Sequence, residues 1–306
     1  MRIDAETITN QITTFISQNI EAHRRDGAIL GMSGGIDSSV VAQLLVSALS
    51  ADRVQALLLP ERDSSPDSKT DAMLEIERLG ISYREVDLTP ILDTIGIYDQ
   101  IPLKYLGTRR IKESIVRQQH QKQAESIGEM PFLAGLLGTR DLGNHQEVID
   151  SGNAYARIKH RLRMMILYYY AELKNLLVVG TTNRSEAMTG FVVKWGDNVA
   201  DIEPILPLYK TQVNQLADYL GVDQRILTKE PSPDLIPGIV DELALGIDYG
   251  TLDAILWGFD QGWDDGKIIA RSSVDESQIA HVRELVRRSA HTRELPPYPY
   301  IWFQPS

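Results

Sequence analysis

A seven-residue polar loop, Ser33-Gly34-Gly35-Ile36-Asp37-Ser38-Ser39, separates two apolar segments near the start of the chain. Residues 28–32 before it form a short apolar run typical of a buried strand, and residues 40–46 after it suit a helix. Two glycines let the backbone turn sharply and approach a ligand closely. This order of strand, tight loop and helix predicts an α/β fold whose first strand leads into a ligand-binding turn.

The chemistry of the loop indicates an anionic ligand. The hydroxyls of Ser33, Ser38 and Ser39 are hydrogen-bond donors, and the N-terminus of the following helix adds free N–H groups and partial positive charge. Asp37 would repel a bare phosphate, so its presence predicts a bridging cation such as Mg²⁺. The sequence contains no Gly-x-x-x-x-Gly-Lys-Ser/Thr motif, which excludes a Walker A site.

The same stretch allows two other interpretations. Residues 31–35 fit Gly-x-Ser-x-Gly, the nucleophile elbow of α/β-hydrolases, in which Ser33 would be the nucleophile and His281 or His291 the base. That motif usually follows several strands, and it would leave Asp37 without a role. The loop could also be a Gly/Ser-rich turn without a ligand, but such dense polarity at a strand–helix joint favours binding.

The amino-acid composition favours a globular enzyme and argues against several other classes of protein. The chain has 306 residues, of which 43% are hydrophobic and 24% charged, as is ordinary for a globular enzyme. Its net charge of −11 disfavours a nucleic-acid binder, and the lack of cysteine excludes disulfides, thiolate metal sites and cysteine nucleophiles. The polar N-terminus does not resemble a signal peptide, and the apolar runs are too short to cross a membrane. We therefore expect a cytoplasmic protein that binds neither nucleic acid nor membranes.

Short apolar runs alternate with helical patterns along most of the chain. We predict strands at residues 27–32, 54–59, 82–87 and 176–180, and helices at residues 4–25, 37–50, 67–79, 154–173, 209–220, 249–259 and 275–289. This alternation predicts a doubly wound, mostly parallel sheet flanked by helices, with ligands beyond the carboxyl ends of the strands. We expect one domain, residues 1–306, with a partly helical insertion at about residues 106–150.

Further motifs follow the polar loop in a fixed order, at residues 57–60, 158–164, 179–186, 189–191, 194–197, 204–211, 229–235 and 289–291. Together with residues 33–39 they are distributed along nearly the whole length of the chain, and the chain resembles the ammonia-dependent NAD synthetases, a family of the N-type ATP pyrophosphatase superfamily. The resemblance implies a Rossmann-like, adenine nucleotide alpha-hydrolase-like fold. It also implies ATP-dependent amidation of deamido-NAD by ammonia, through an acyl-adenylate, with release of AMP and pyrophosphate.

The resemblance assigns roles around the nucleotide. Asp37 and Glu186 match the metal-binding carboxylates, Lys210 matches a lysine that contacts ATP phosphate, and Ser232 stands where the family usually has threonine. These four residues are the expected catalytic set, with Mg²⁺ as the cofactor. The expected ATP-binding residues are Gly31, Ser33, Gly34, Gly35, Asp37, Ser38, Ser39, Leu59, Thr181, Lys210 and Ser232.

For deamido-NAD, Lys194 and Asp197 match the nicotinate-side motif. Arg157 and Arg161 on the predicted helix are basic enough to meet its phosphates, although Arg157 stands where the family usually has asparagine and a solvated basic face is the other interpretation of the arginines. The sequence departs from the family pattern at residues 193, 198 and 199, where it has valine, asparagine and valine. Because glycine is usual at the last two, a same-fold amide ligase for another carboxylate stays open.

The resemblance also implies a homodimer. Because a fused glutaminase would need a cysteine nucleophile, we expect free ammonia or a separate glutaminase subunit as the nitrogen source.

Overall fold

The computed structural model describes residues 1–100, 107–138 and 142–300. Its central sheet has four parallel strands, β1 (Gly27–Gly31), β2 (Val54–Leu58), β3 (Ser82–Glu85) and β4 (Leu176–Val178), in the order β3-β2-β1-β4. In register, Leu30 of β1 lies opposite Ala56 of β2, and Ala28 lies opposite Leu177 of β4. The predicted α/β fold with a parallel sheet is therefore confirmed.

Helices surround this sheet. In chain order they are α1 (Ala5–Ala22), α2 (Ile36–Leu49), α3 (Pro66–Leu79), α4 (Thr89–Thr94), α5 (Ile97–Gln100), α6 (Arg109–Ile127), α7 (Pro131–Ala134), α8 (Gln146–Lys174), α9 (Arg184–Thr189), α10 (Lys210–Tyr219), α11 (Gln224–Leu227), α12 (Asp241–Leu245), α13 (Tyr249–Asp260), α14 (Asp265–Arg271) and α15 (Glu276–Arg288). Capping residues explain where two of these helices begin or end. Asp4 caps the N-terminus of α1, and Gly80 ends α3 in the left-handed conformation.

Alternate residues of β1 bury opposite faces of the sheet. Ala28 and Leu30 pack into a core shared with α1, α2, α3 and α10, whereas Ile29 packs into a second core covered mainly by α8. A third core joins α7 with α12–α15 and lies beside α9 and α10. Helices therefore cover both faces, and the third core supports the two helices that follow β4.

The region predicted as a partly helical insertion contains long stretches of regular helix. Helix α6 spans 19 residues, and α8 begins at Gln146 rather than at residue 154. The hydrophobic pattern did not give the bounds of α6 or the start of α8, because α6 buries no side chain fully and the first turns of α8 contain polar residues and Gly152. Of the predicted insertion, residues 106 and 139–141 lie outside the described residues. Among the described residues, no helix combines the length and apolar character that a membrane span requires.

Candidate active site

The carboxyl ends of β1, β2 and β4 open into one cavity of about 630 Å³. The loops after these strands form its walls together with α8, the start of α6 and the loop of residues 229–240. The sequence-predicted residues that line it are Gly31, Ser33, Gly35, Asp37, Ser38, Leu59, Thr181, Glu186, Asp197, Lys210 and Ser232. The structure thus brings residues from distant parts of the sequence to the end of the sheet where parallel α/β proteins bind ligands.

The loop of residues 33–39 is held in shape by its own hydrogen bonds. Ser33 Oγ accepts from the Gly35 N–H at 3.2 Å and lies 3.1 Å from Ser38 Oγ. Gly34 has φ +73°, and a Cβ there would lie only 2.1 Å from the Ser68 carbonyl oxygen, so glycine is required. Ser39 is fully buried and donates to the Gly35 carbonyl. Gly34 and Ser39 therefore shape the loop from behind and do not line the cavity.

Lys210 joins two carboxylates at the cavity wall. Its Nζ contacts Asp37 Oδ2 and lies 3.4 Å from Glu186 Oε1. Asn183 Nδ2 donates to the other oxygen of Asp37 at 3.0 Å. Although it is the first residue of α10, Lys210 is only 2% exposed, so its charge is available to the cavity rather than to solvent.

Helix α9 positions Glu186 through its own N-terminus. Asn183 is the N-cap residue, and its side-chain oxygen accepts from the Glu186 N–H at 3.0 Å. In return, Glu186 Oε2 accepts from the Asn183 N–H at 3.2 Å. This capping box fixes the Glu186 carboxylate with one oxygen toward the helix end and the other toward Lys210.

A buried network behind the cavity connects the two helices that carry Glu186 and Lys210. Asp253 is fully buried on α13, where it accepts from Ser185 Oγ and, at 2.8 Å, from the Thr211 N–H. Ser185 Oγ in turn accepts from the Lys210 N–H at 2.9 Å. The starts of α9 and α10 are therefore fixed to each other, and so are the side chains they present.

The charges around Lys210 are not balanced. Burial, reinforced by the negative charge of Asp37, raises the pKa of Glu186 to about 8. Burial also raises the pKa of Asp241 to about 6, although Lys210 acts in the opposite direction. Burial alone would lower the pKa of Lys210, but Asp37 and Glu186 reverse this and hold it well above its ordinary value. The cluster contains more acidic groups than Lys210 can neutralise, which favours a further cation.

The carboxylates present fit Mg²⁺ in the manner that the ion commonly adopts with nucleotides. Mg²⁺ is usually held by one or two carboxylates plus substrate phosphates, and it keeps several waters. Asp37 and Glu186 can supply the two carboxylates beside the loop of residues 33–39. Within the described residues, no group of three or more His, Asp or Glu side chains has the geometry of a complete metal site. Phosphate oxygens of a nucleotide and water would complete the coordination of an ion held by these two carboxylates.

The residues expected to bind deamido-NAD behave differently. Of the four, only Asp197 lines the cavity. Arg157 donates to the Gly135 carbonyl at 3.0 Å, and Arg161 donates to the Lys194 carbonyl at 3.3 Å. Lys194 Nζ donates to the carbonyl of His291. These three cations are thus occupied by backbone oxygens outside the cavity.

The departures from the family pattern have a local explanation. The left-handed residue in this segment is Trp195, with φ +64°, while neither Asn198 nor Val199 has a positive φ. Asn198 closes the turn, because its Oδ1 accepts from the Trp195 N–H at 3.0 Å and its Nδ2 donates to the Thr292 carbonyl at 3.1 Å. Val199 packs beside the second core. The substitutions therefore do not force a left-handed conformation on valine.

Sequence reasoning missed several groups on the cavity wall. His160 and Arg163 of α8 both line it, and His160 Nδ1 lies 3.7 Å from Asp197 Oδ2. Burial lowers the pKa of His160, which favours the neutral ring beside that carboxylate. Asp241 is 4% exposed, lines the cavity and accepts from Tyr249 at 2.8 Å. The spacing of three residues between His160 and Arg163, which places both on one face of α8, could have indicated Arg163. Nothing in the sequence brings Asp241 to the cavity.

The geometry does not assemble a serine hydrolase. In the described hydrogen bonds, Ser33 Oγ contacts Ser38 and the Gly35 N–H, and no histidine reaches it. His281 Nε2 lies 2.7 Å from the Leu245 carbonyl oxygen, and His291 Nδ1 lies 3.0 Å from the Arg288 carbonyl oxygen. Both candidate bases are therefore tied to the third core rather than to the loop.

Comparison with known sequences identifies close relatives. A sequence model of the NAD synthase family matches residues 8–120 and 138–296. The chain is 44% identical over 286 residues to the NH(3)-dependent NAD(+) synthetase of Thermotoga maritima, covering 93% of this chain and 96% of that protein.

Solved structures agree with this result. The NMN synthetase of Francisella tularensis superposes with a TM-score of 0.71 at 27% identity, covering 98% of this chain and 100% of the other. The NH3-dependent NAD synthetase of Campylobacter jejuni, in complex with nitrate ion, gives a TM-score of 0.68 at 25% identity with the same coverage.

Proposed function

Because this chain belongs to the NAD synthase family, we propose that its cavity performs the ATP-dependent amidation of deamido-NAD to NAD with ammonia. The observation that carries the proposal is the meeting of Asp37, Glu186 and Lys210 beside the serine-lined loop of residues 33–39. Such an arrangement has donors for pyrophosphate, a fixed cation and carboxylates for a metal. A protein that only sensed a nucleotide would not need the carboxylates.

The reaction requires two displacements. An oxygen of the substrate carboxylate attacks the α-phosphorus of ATP, and the bond to pyrophosphate breaks. Ammonia then attacks the acyl carbon of the adenylate, AMP leaves with the bonding electrons, and the nitrogen loses a proton. Phosphoryl transfer of this kind depends on positioning and on stabilising negative charge.

The residues of the cavity supply these effects. Ser33, Ser38 and the backbone N–H groups of the loop would bind the departing pyrophosphate, and Lys210 would balance its growing charge. Mg²⁺, held by Asp37 and Glu186, would neutralise the phosphates when it is bound. Thr181 and Leu59 would face the adenosine.

The acyl half has its own chemistry. The neutral ring of His160, which lies beside Asp197 on the cavity wall, would accept the one proton that the attacking nitrogen loses.

A panel of carboxylates tests the proposal. Purified protein would be given ATP, Mg²⁺ and ammonia with deamido-NAD, with the acid corresponding to NMN, or with unrelated acids. We expect one AMP and one NAD for each ATP consumed with deamido-NAD. Release of AMP with another acid but not with deamido-NAD would refute the substrate assignment and leave the adenylation chemistry intact.

The acid corresponding to NMN is the second candidate substrate. The NMN synthetase of Francisella tularensis superposes well on this chain, and the departures at residues 193, 198 and 199 lie on the acyl side. The two acids share the nicotinate carboxylate but differ in the adenylate half. A higher kcat/KM for the mononucleotide acid in the same panel would favour this candidate.

We further propose that the chain forms a homodimer through α8. Met165, Tyr169 and Leu173 recur every four residues and are 61%, 57% and 63% exposed, so they form one apolar stripe on this helix. Contiguous exposed apolar surface of this kind marks interaction sites. The molar mass in solution tests the proposal, and a monomer at micromolar concentration would refute it.

The nitrogen source follows from the composition. With no cysteine in 306 residues, the chain cannot carry a glutaminase of the usual type, so we propose that it uses free ammonia or receives it from a separate glutaminase subunit. Glutamine alone should give no NAD with the pure protein. We also infer that the chain acts as one domain in the cytoplasm, where ATP is abundant.

A further inference from the structure

Helix α6 forms part of the cavity wall. Arg109, Glu113 and Arg117 follow each other at intervals of four residues on α6 and all three line the cavity. The family resemblance assigned nothing to this helix. It buries no side chain fully, so hydrophobic packing alone does not explain its position beside the nucleotide loop.

Arg109 connects α6 to two loops of the cavity. One of its terminal nitrogens donates to the carbonyls of Asp63 and Ser64, at 3.1 Å each. Its Nε donates to Glu113 at 2.8 Å, and its other terminal nitrogen lies 3.4 Å from Asp234 Oδ1. A planar guanidinium with five donors can satisfy such a set, whereas a lysine ammonium cannot reproduce its fork. One side chain thus joins α6, the segment after β2 and the loop of residues 229–240.

Asp234 is the counterpart of Arg109 in the second loop. Both of its carboxylate oxygens accept from the Ser65 N–H, at 3.0 and 2.8 Å, and its own N–H donates to Ser232 Oγ at 3.2 Å. Its φ of +49° is uncommon for a residue other than glycine. Such conformations persist where surrounding contacts hold them, often at functional sites. Here the contacts that hold it also set the position of Ser232.

The same loop is attached to α6 a second time, beyond Ser232. Arg117 Nε donates to the Gly238 carbonyl at 2.9 Å. Gly238 has φ +88°, and a Cβ there would lie 2.7 Å from the Glu113 carbonyl oxygen. The backbone of the loop therefore rests directly on the backbone of the helix.

We propose that Arg109 and Asp234 are positioning residues for the nucleotide, and that α6 is the support on which the Ser232 loop is held. Arg109 holds the segment after β2 directly. Through Asp234 it also holds the loop of residues 229–240, and so keeps the Ser232 hydroxyl at the cavity wall. This inference rests on the proposed function, because it gives Ser232 the task of contacting ATP.

A double-mutant cycle tests the inference. Arg109→Ala, Asp234→Ala and the double variant would be compared for ATP binding by calorimetry with Mg²⁺ and for KM and kcat in NAD formation. Each single variant should weaken ATP binding about tenfold or more, the size expected for lost hydrogen bonds to charged groups. The KM for ATP should rise by a similar factor, with a smaller change in kcat. Because the two residues contact each other and hold the same loop, the double variant should lose less affinity than the product of the two single losses.

Matched variants separate positioning from stability. Arg110 is the exposed neighbour of Arg109 on α6, so Arg110→Ala should bind ATP as the unmodified chain does. Arg109→Lys should recover only part of the affinity. If Arg109→Ala does not fold, Arg109→Gln, which keeps much of the side-chain stem, takes its place in the cycle.

Two results would overturn the inference: unchanged ATP affinity in Arg109→Ala, or a loss in the double variant equal to the product of the single losses. Calorimetry needs no acyl substrate, so it reports on Arg109 even if deamido-NAD proves to be the wrong acid. Absence of NAD formation by the unmodified chain, with the expected losses of ATP affinity, would refute the proposed substrate and leave the inference standing.

Discussion

The proposed nucleotide and acyl sides of the site differ in how completely their residues are assembled. On the nucleotide side, Asp37 and Glu186 both already contact Lys210, and all three residues line the cavity. On the acyl side, Arg161 and Lys194 are bonded to backbone carbonyls, and only Asp197 of the expected set reaches the wall. The nucleotide half is therefore organised by the fold itself, whereas the acyl half depends on side chains that would have to exchange their present partners for a ligand.

The largest effect should come from removing Asp37. In Asp37→Ala, Lys210 loses its closest partner and the proposed Mg²⁺ site loses a carboxylate, so release of pyrophosphate should fall about a thousandfold or more. The rate of pyrophosphate release with saturating Mg²⁺ measures this. Asp218→Ala, which changes an exposed acid on α10, is the control. If Asp37→Ala retained its turnover, the nucleotide side would not depend on the contacts among Asp37, Glu186 and Lys210. The difference proposed between the nucleotide and acyl sides would then be wrong.

A large effect on stability is expected at Glu203, which contacts the cavity-lining residue Thr182. Glu203 accepts from the Thr182 N–H at 3.1 Å, and burial raises its pKa to about 8. Between pH 4.5 and about 8 the folded chain keeps this proton while the unfolded chain gives it up. The Glu203 contribution to the free energy of unfolding is therefore complete at low pH and is lost as pH rises toward 8, by about a few kcal/mol.

Glu203→Gln removes this titration while preserving the shape of the side chain. Denaturant unfolding at a series of pH values should show a flatter profile from pH 5 to 8 than that of the unmodified chain. Parallel profiles would mean that Glu203 is ionised in the folded chain.

The network behind the nucleotide half offers a smaller, structural test. Ser185→Ala leaves the Asp253 carboxylate and the Lys210 N–H without their shared partner. An unsatisfied buried group costs about 1–3 kcal/mol, so we expect a loss of unfolding free energy in that range, together with a lower kcat. Ser277→Ala, which removes a hydroxyl at an exposed helix start, is the control. Normal kcat in Ser185→Ala would show that Glu186 and Lys210 do not need this support.

The difference between the two sides of the site also shows how much of it could be predicted from the sequence. The parallel sheet and the position of residues 33–39 followed from apolar runs and glycines, which act locally. The resemblance implied that Asp37 and Glu186 bind one metal, and the fold brings them together because each follows a strand of the parallel sheet. Helix α6 and Asp241 were not assigned to the site, since α6 has a weak apolar pattern and Asp241 reaches the cavity only through the path of a long loop.

The smallest effect should be found on the acyl side. Lys194 donates to the His291 carbonyl and lies over the Trp195 ring, so in this structure its ammonium stabilises the local fold rather than the cavity. Lys194→Ala should therefore raise the KM for deamido-NAD only about three- to tenfold, as the loss of one hydrogen bond predicts, and should leave the KM for ATP unchanged. Lys174→Ala, at the far end of α8, is a control for charge. A hundredfold or greater rise in the KM for deamido-NAD would mean that Lys194 leaves His291 to bind the substrate, and the acyl half would then be organised by its ligand.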